Sequence, residues 1–177
     1  MAGHVFVDES KRRDYVLAAA AVPTDTLQTA RNVIRALRLP GQTKIHMVKE
    51  SSGRQRSLLA AIGSLDVRVT MYVATKTTFT AHVEARRRCL DSLIDDIAVD
   101  GHMSLCIERD DSQETRDRRL IRNRLGAIGY RDQLSYRHSK VDAEPLLVIP
   151  DAVAWAWPQG GDWRRRCEQI VGDVIRV

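Results

Sequence analysis

Four places in this sequence put a carboxylate at the end of an apolar element, where an acid has to be accounted for. Asp8 and Glu9 follow Val5, Phe6 and Val7. Glu108 follows the run from Met103 to Ile107, with Asp110 and Asp111 just behind it. Asp151 is the one acid between Leu146 and Trp157. His46 and Glu50 lie in the mixed segment from Lys44 to Glu50. A carboxylate held among apolar neighbours is costly unless something compensates it. Two unit charges 4 Å apart at an effective dielectric of 20 repel by roughly 4 kcal/mol, so three or four gathered acids call for a cation. Hard oxygen donors at an open site suit Mg²⁺ or Mn²⁺. Such ions activate water and stabilise the leaving oxygen in phosphodiester cleavage. The residues expected to bind metal are Asp8, Glu108, Asp110 and Asp151. The expected catalytic set is Asp8, Glu50, Glu108 and Asp151, with His46 positioning water or helping product leave.

Each acid also has a plainer explanation. Asp8 could cap a hairpin turn, and Asp111 or Ser112 could cap the helix that follows. An Asp in the first turn of a helix, as Asp151 would be, gains roughly 0.3–1 kcal/mol from the helix dipole. His46 and Glu50 could belong to a polar loop between strand and helix. A cap accounts for Asp111 but leaves Glu108 unexplained.

The elements that must position these residues follow from periodicity. Val5 to Asp8 reads as a strand, and Tyr15 to Val22 as a second, close enough for a hairpin. Thr24 or Asp25 can cap a helix carrying Leu27, Ala30, Ile34 and Leu37, which Pro40 and Gly41 end. Thr43 to Val48 is expected to form a third strand, and Ser51 or Ser52 to start a helix with Leu58, Leu59 and Ile62. Val67, Val69, Met71 and Val73 alternate within a strand from Asp66 to Lys76. Thr80 to Val99 is a helix, Met103 to Ile107 a strand, Gln113 to Ile128 a basic helix, and Leu134 to His138 a short strand. Leu146 to Trp157 is helical with Pro150 in its first turn, and Asp162 caps a last helix through Arg176. Early strands close in sequence give an antiparallel start, and later strands separated by helices give parallel crossovers. The expected fold class is α/β, a mixed sheet flanked by helices, in a single domain over residues 1–177.

The chain carries a net charge of +5, with 28 Lys and Arg against 23 Asp and Glu. Arg dominates the basic set and pairs bidentately with phosphate, which favours a polyanionic partner. An Arg-rich composition on solvated faces is the competing explanation. On the basic helix, Arg118, Arg119 and Arg122 share one face directly after Glu108, and they are the expected nucleic-acid contacts. Those contacts would go to phosphate and ignore base sequence. Arg86 to Arg88 wraps around its helix and forms no stripe. Cys89, Cys106 and Cys167 show no metal or disulfide spacing and read as small core residues in a reducing compartment. No apolar run reaches the ~18 residues of a membrane span, and the polar Asp8-Glu9-Ser10 comes too early for a signal peptide. A cytoplasmic protein with no membrane partner is expected, and a homodimer is left open.

The segments from Phe6 to Ser10, from Ile45 to Glu50 and from Leu146 to Trp155, in that order, resemble a bacterial family with a ribonuclease H-like fold, domain-of-unknown-function family 3800. The resemblance runs from Val5 to about Trp163. It implies a ribonuclease H-like sheet with its first three strands antiparallel, and a divalent-metal site of acids from separate elements. Asp8 matches the acid of the first strand and Asp151 that of the last helix. Glu108 best matches the acid of a later central strand, with Asp110 next. Lys11 stands where the family has Gly, Lys44 where many members have Glu, and Pro150 where Ala is commoner. Lys44 leaves a fourth carboxylate to be supplied, and Glu50 could supply it as the helix acid does in ribonuclease H.

The function expected from these residues is a metal-dependent nuclease acting on RNA or DNA. The alternative is a non-catalytic ribonuclease H-like module that binds nucleic acid or a protein partner, with the Lys44 cation in a metal's place. A nucleophile-elbow hydrolase or a P-loop enzyme is disfavoured, since neither motif occurs.

Overall fold

The computed structural model describes residues 3–78 and 80–177. Its centre is a six-stranded sheet in the order β5-β4-β1-β2-β3-β6. The strands are β1 (Gly3–Ser10), β2 (Tyr15–Pro23), β3 (Arg68–Ala74), β4 (Ser104–Glu108), β5 (Ser135–Ser139) and β6 (Val171–Arg176). β1, β2 and β3 are antiparallel neighbours. β4 joins β1, β5 joins β4 and β6 joins β3 in parallel. The mixed sheet with an antiparallel start is therefore present.

Strand alternation assigns the two faces. Phe6, Val16, Ala18, Ala20 and Cys106 pack beneath α1 (Leu27–Ala36), α2 (Ser52–Gly63), α5 (Val148–Ala156) and α6 (Gly161–Glu168). Val5, Val7, Leu17, Ala19 and Ile107 pack against α3 (His82–Asp100) and α4 (Glu114–Ala127). Residues two apart on a strand share a face, so Asp8 and Glu108 continue the rows of Phe6 and Cys106 toward α5. The alanine-rich stretch of β2 lets helices approach from both sides. The three cysteines are buried and unbridged.

Two expected elements are corrected. Residues 43 to 46 form no strand, and Met47–Lys49 is a short 3-10 helix. The backbone there is satisfied by side chains: the Met47 N–H donates to Asp151 Oδ2 at 2.9 Å and Gln55 Nε2 donates to the Met47 carbonyl at 2.8 Å. A segment served this way needs no sheet partner. The last helix stops at Glu168, and residues expected to continue it form β6. β3 would otherwise expose an edge. The β-branched Val171, Val174 and Ile175 suit a strand, and Val69 N–H begins the pairing by donating to the Ile170 carbonyl at 2.7 Å.

The helix starts also shift slightly. Ser51 caps α2 as expected, its Oγ accepting from Arg54 N–H at 3.4 Å. At α4 it is Asp110, not Asp111, that organises the turn, and Gln113 takes the cap position. α1 begins after Thr26, without a side-chain cap bond. Among the described residues no helix is long and apolar enough to cross a membrane.

Candidate functional site

Three of the expected acids meet at the carboxyl ends of β1 and β4. The parallel register pairs Val7 with Ile107, so Asp8 and Glu108 stand side by side on the face turned toward α5. Asp151, in the first turn of α5, is buried above them. Burial, the shared hydrogen bond with Glu108 and the charges of Glu108 and Asp151 push the Asp8 carboxyl well above the usual carboxylate range. The Glu9 backbone N–H, donating to Asp8 Oδ1 at 2.7 Å, opposes that rise. Crowding by a second acid thus adds to burial in disfavouring a charge on Asp8.

Asp151 is held by the loop before α2. Its Oδ2 accepts the Met47 N–H at 2.9 Å and faces His46 Nδ1 at 3.3 Å. This neighbour raises the His46 pKa against the lowering effect of burial, and the charge of Glu108 adds to it. His46 therefore belongs to the acidic group although its segment is not a strand. Its side chain is 38% exposed, which leaves it reachable from solvent.

The remaining expected residues lie at varying distance from this group. Glu50 is drawn elsewhere: Gln42 Nε2 donates to it at 2.6 Å and Arg54 Nε at 3.3 Å. Asp110 lines a small pocket of about 150 Å³ together with Asp8 and Glu108. Its Oδ1 accepts from Ser112 Oγ at 2.6 Å and Ser112 N–H at 2.9 Å, which hold its carboxyl below the usual range. Arg118, Arg119 and Arg122 are exposed on α4, and Arg118 donates to Glu114 Oε1 at 2.6 Å.

A second cleft of about 370 Å³ opens beside Glu108, lined by Lys44, His46, Arg109 and Lys140. Lys44 is therefore a wall of the cleft. Sequence patterns do not place Arg109 and Lys140 there, because each belongs to a loop whose course the sequence leaves open.

The sequence also conceals a buried ion network on the reverse face of the sheet. Arg86 donates to Asp117 through Nε at 2.7 Å and Nη2 at 2.6 Å, to the Tyr15 hydroxyl at 2.9 Å, and to Glu9. The Tyr15 hydroxyl donates to Glu9, Lys11 pairs with Glu9 at 2.5 Å, and His138 Nε2 lies 3.2 Å from Asp117 Oδ2. Glu9 thus ties this network to Asp8 through one peptide unit. A signal is present: Arg86 shares the α3 stripe of Cys89, Leu90 and Leu93, and Asp117 that of Ile121 and Leu125 on α4.

Among the described residues no group of three or more His, Cys, Asp and Glu side chains is arranged to hold a metal ion as it stands. The donor chemistry of Asp8, Glu108 and Asp151 nevertheless suits a hard divalent cation. All three offer carboxylate oxygens, and the burial and crowding that together raise Asp8 are what such a cation would relieve.

No family model matches the sequence, and no curated protein matches it. Among solved structures, a chain in the structure of the PCNA:RNase HII complex from Archaeoglobus fulgidus is similar with a TM-score of 0.59 and 16% identity. That match covers 94% of this chain and 75% of the other. A point mutant of Bst-RNase HIII aligns over 89% of this chain and 55% of its own, with a TM-score of 0.42 and 14% identity. The first of these establishes that the chain has a ribonuclease H-like fold.

Proposed function

We propose that this protein is a divalent-metal-dependent nuclease that hydrolyses phosphodiester bonds of RNA or DNA, with Asp8, Glu108 and Asp151 as ligands for Mg²⁺ or Mn²⁺. The observation that carries the reading is the gathering of these three acids, which together with burial raises the Asp8 carboxyl. The fold shared with a structure that contains RNase HII makes a phosphodiester the substrate to test first. A bound divalent ion would lower the pKa of a water and neutralise charge on the leaving oxygen.

The chain's own residues supply the rest. Asp8 and Glu108, side by side at the ends of β1 and β4, would offer the ion carboxylate oxygens. Asp151, fixed by the Met47 N–H, contributes from above. His46, beside Asp151 and open to solvent, accepts or returns a proton as product leaves. Lys44, Arg109 and Lys140 line the adjoining cleft and take backbone phosphates. Arg118, Arg119 and Arg122 extend that contact along α4, with Asp110 assisting at the edge of the acidic group.

Two observations favour a second reading, a non-catalytic module that binds nucleic acid or protein. No ready metal cluster stands among the described residues, and Lys44 puts a cation beside Glu108. One experiment separates the two. Labelled RNA, DNA and hybrid duplexes are incubated with the protein in Mn²⁺, in Mg²⁺ and in EDTA, alongside calorimetric titration with Mn²⁺. Cleavage that needs metal and is lost in Asp8→Asn supports the nuclease. Nucleic-acid binding with neither metal uptake nor cleavage supports the module.

A further inference from the structure

All three tryptophans of the chain gather at one place, where α6 packs on α2 and α5. Trp155 and Trp163 meet edge to face with ring centroids 4.9 Å apart. Arg56 of α2 lies over Trp163, 5.7 Å from its ring centroid, and the Arg164 guanidinium lies 4.0 Å from that of Trp157. The rings are half-buried, packed against the core on one side and open to solvent on the other. The cluster adjoins the acidic group. Trp155 follows Asp151 by one turn of α5, roughly 6 Å along the helix axis.

The polar atoms of the cluster are donors left without acceptors. An indole nitrogen can only donate. Among the described residues none of the three indole N–H groups makes a hydrogen bond, and none is sealed from water. Arg56 and Arg164 are exposed, and their side chains have neither an ion pair nor a hydrogen bond among the described residues. Asp162 and Glu168 are the acids of α6. Asp162 is taken by Arg166 at 2.7 Å and Arg165 at 3.7 Å, and Arg56 attracts it only from farther away.

Free donors beside flat, half-open rings suit a ligand that brings both acceptors and π-faces. Unpaired bases stack on indole rings and on guanidinium planes, while the phosphates between them pair with arginine. A duplex keeps its bases stacked inside, out of reach of such a platform. An acidic peptide would bring acceptors but nothing to lie on the stack. A bilayer would call for rings that project, and these are held against the core.

We infer that the tryptophan–arginine cluster of α2, α5 and α6 binds single-stranded nucleic acid, with a base stacked on the Arg164–Trp157 pair and phosphates reaching Arg56 and the indole N–H groups. The surface is distinct from the arginines of α4. It needs no metal, and it stands under either reading of the acidic group.

Because the cluster holds every tryptophan of the chain, intrinsic fluorescence reports this surface and no other. Oligo(dT) is titrated into the full chain in EDTA, which stops any metal-dependent cleavage and keeps the outcome separate from that of the cleavage assay. Saturable quenching is expected. Arg164→Gln, at an exposed position, and Trp157→Leu should each weaken binding by about tenfold or more. Arg164→Gln decides the matter if Trp157→Leu fails to fold. The inference is overturned by an absence of quenching at about 100 μM oligo(dT), the weak limit of non-specific binding, or by unchanged affinity in Arg164→Gln. Quenching as strong with inorganic polyphosphate or with duplex DNA also overturns it. So does oligo(dT) binding, seen by anisotropy, that leaves tryptophan emission unmoved, which would place the strand on α4. A response to polyglutamate or to anionic phospholipid vesicles, with none to oligo(dT), overturns it and marks the cluster as a protein or membrane contact.

Discussion

The backbone N–H of Met47 donates to Oδ2 of Asp151 at 2.9 Å, joining residues 104 apart in the chain. This bond fixes the acid of α5 over the ends of β1 and β4. It also replaces the strand pairing that the segment around Met47 would otherwise need. The same carboxylate is thus asked to hold the fold and to serve the site.

The two tasks separate by mutation. Asp151→Ala leaves the Met47 N–H unsatisfied and should cost about 1–3 kcal/mol of stability. Asp151→Asn keeps an oxygen in place and should cost less. Both should lose metal-dependent cleavage. Thermal melts and cleavage assays on the pair check this, and equal stability of the two variants would contradict the structural role.

Asp8 should behave in the opposite way. Its carboxyl is raised first by burial and then by Glu108 and Asp151. Asp8→Asn, which brings no ionisable group into this buried position, should raise stability at neutral pH by on the order of 1 kcal/mol, or about 2–4 °C in melting temperature. Cleavage should fall by about 100-fold or more. Mn²⁺ should raise the melting temperature of the unmutated protein and leave that of Asp8→Asn unmoved. A destabilised Asp8→Asn that still responds to Mn²⁺ would place the metal elsewhere.

Arg86 is the keystone of the buried network. Truncation to Met strands Asp117 and Glu9 without their shared cation and should cost about 3–5 kcal/mol, on the order of 10 °C. A variant that melts within a degree or two of the original would show that water replaces the guanidinium.

Acid should weaken the same network. Burial alone would push the Asp117 carboxyl up, but Arg86 and His138 more than offset it and hold it below its ordinary value of 3.8. A carboxylate depressed by folding contributes stability above its unfolded pKa and loses it as pH falls through the folded one. The melting-temperature gap between the unmutated protein and Asp117→Asn should therefore be full at pH 7 and close as pH drops below 3.8. A gap that persists undiminished down the acid limb would assign the stabilisation to packing.

The basic helix can be tested by salt. Replacing Arg118, Arg119 and Arg122 with Ala should change stability by less than about 1 kcal/mol, since all three are exposed. It should flatten the dependence of nucleic-acid affinity on salt by about 2–3 in log–log slope. An unchanged slope would move the phosphate contacts to the cleft of Lys44, Arg109 and Lys140.

Sequence alone determined the layers of this protein and the acids worth watching. Alternation in β3, the apolar runs of β1, β2 and α5, and the apolar stripe of α3 are local patterns, because each element must bury its apolar side chains wherever it ends up. Asp8, Glu108 and Asp151 stood out for the same reason, as charges at the edge of elements that must be buried. Only the tertiary structure decided what those acids and their neighbours touch. A side chain from α5 took the backbone bond that made residues 43 to 48 look like a strand, and the open edge of β3 drew in the residues expected to extend the last helix. Arg54 and Gln42 claimed Glu50, while Asp117 holds Arg86, the first of three consecutive arginines, as a buried ion. Periodicity reports which way a residue faces. Which partner waits there depends on contacts between segments tens of residues apart, and no local pattern carries them.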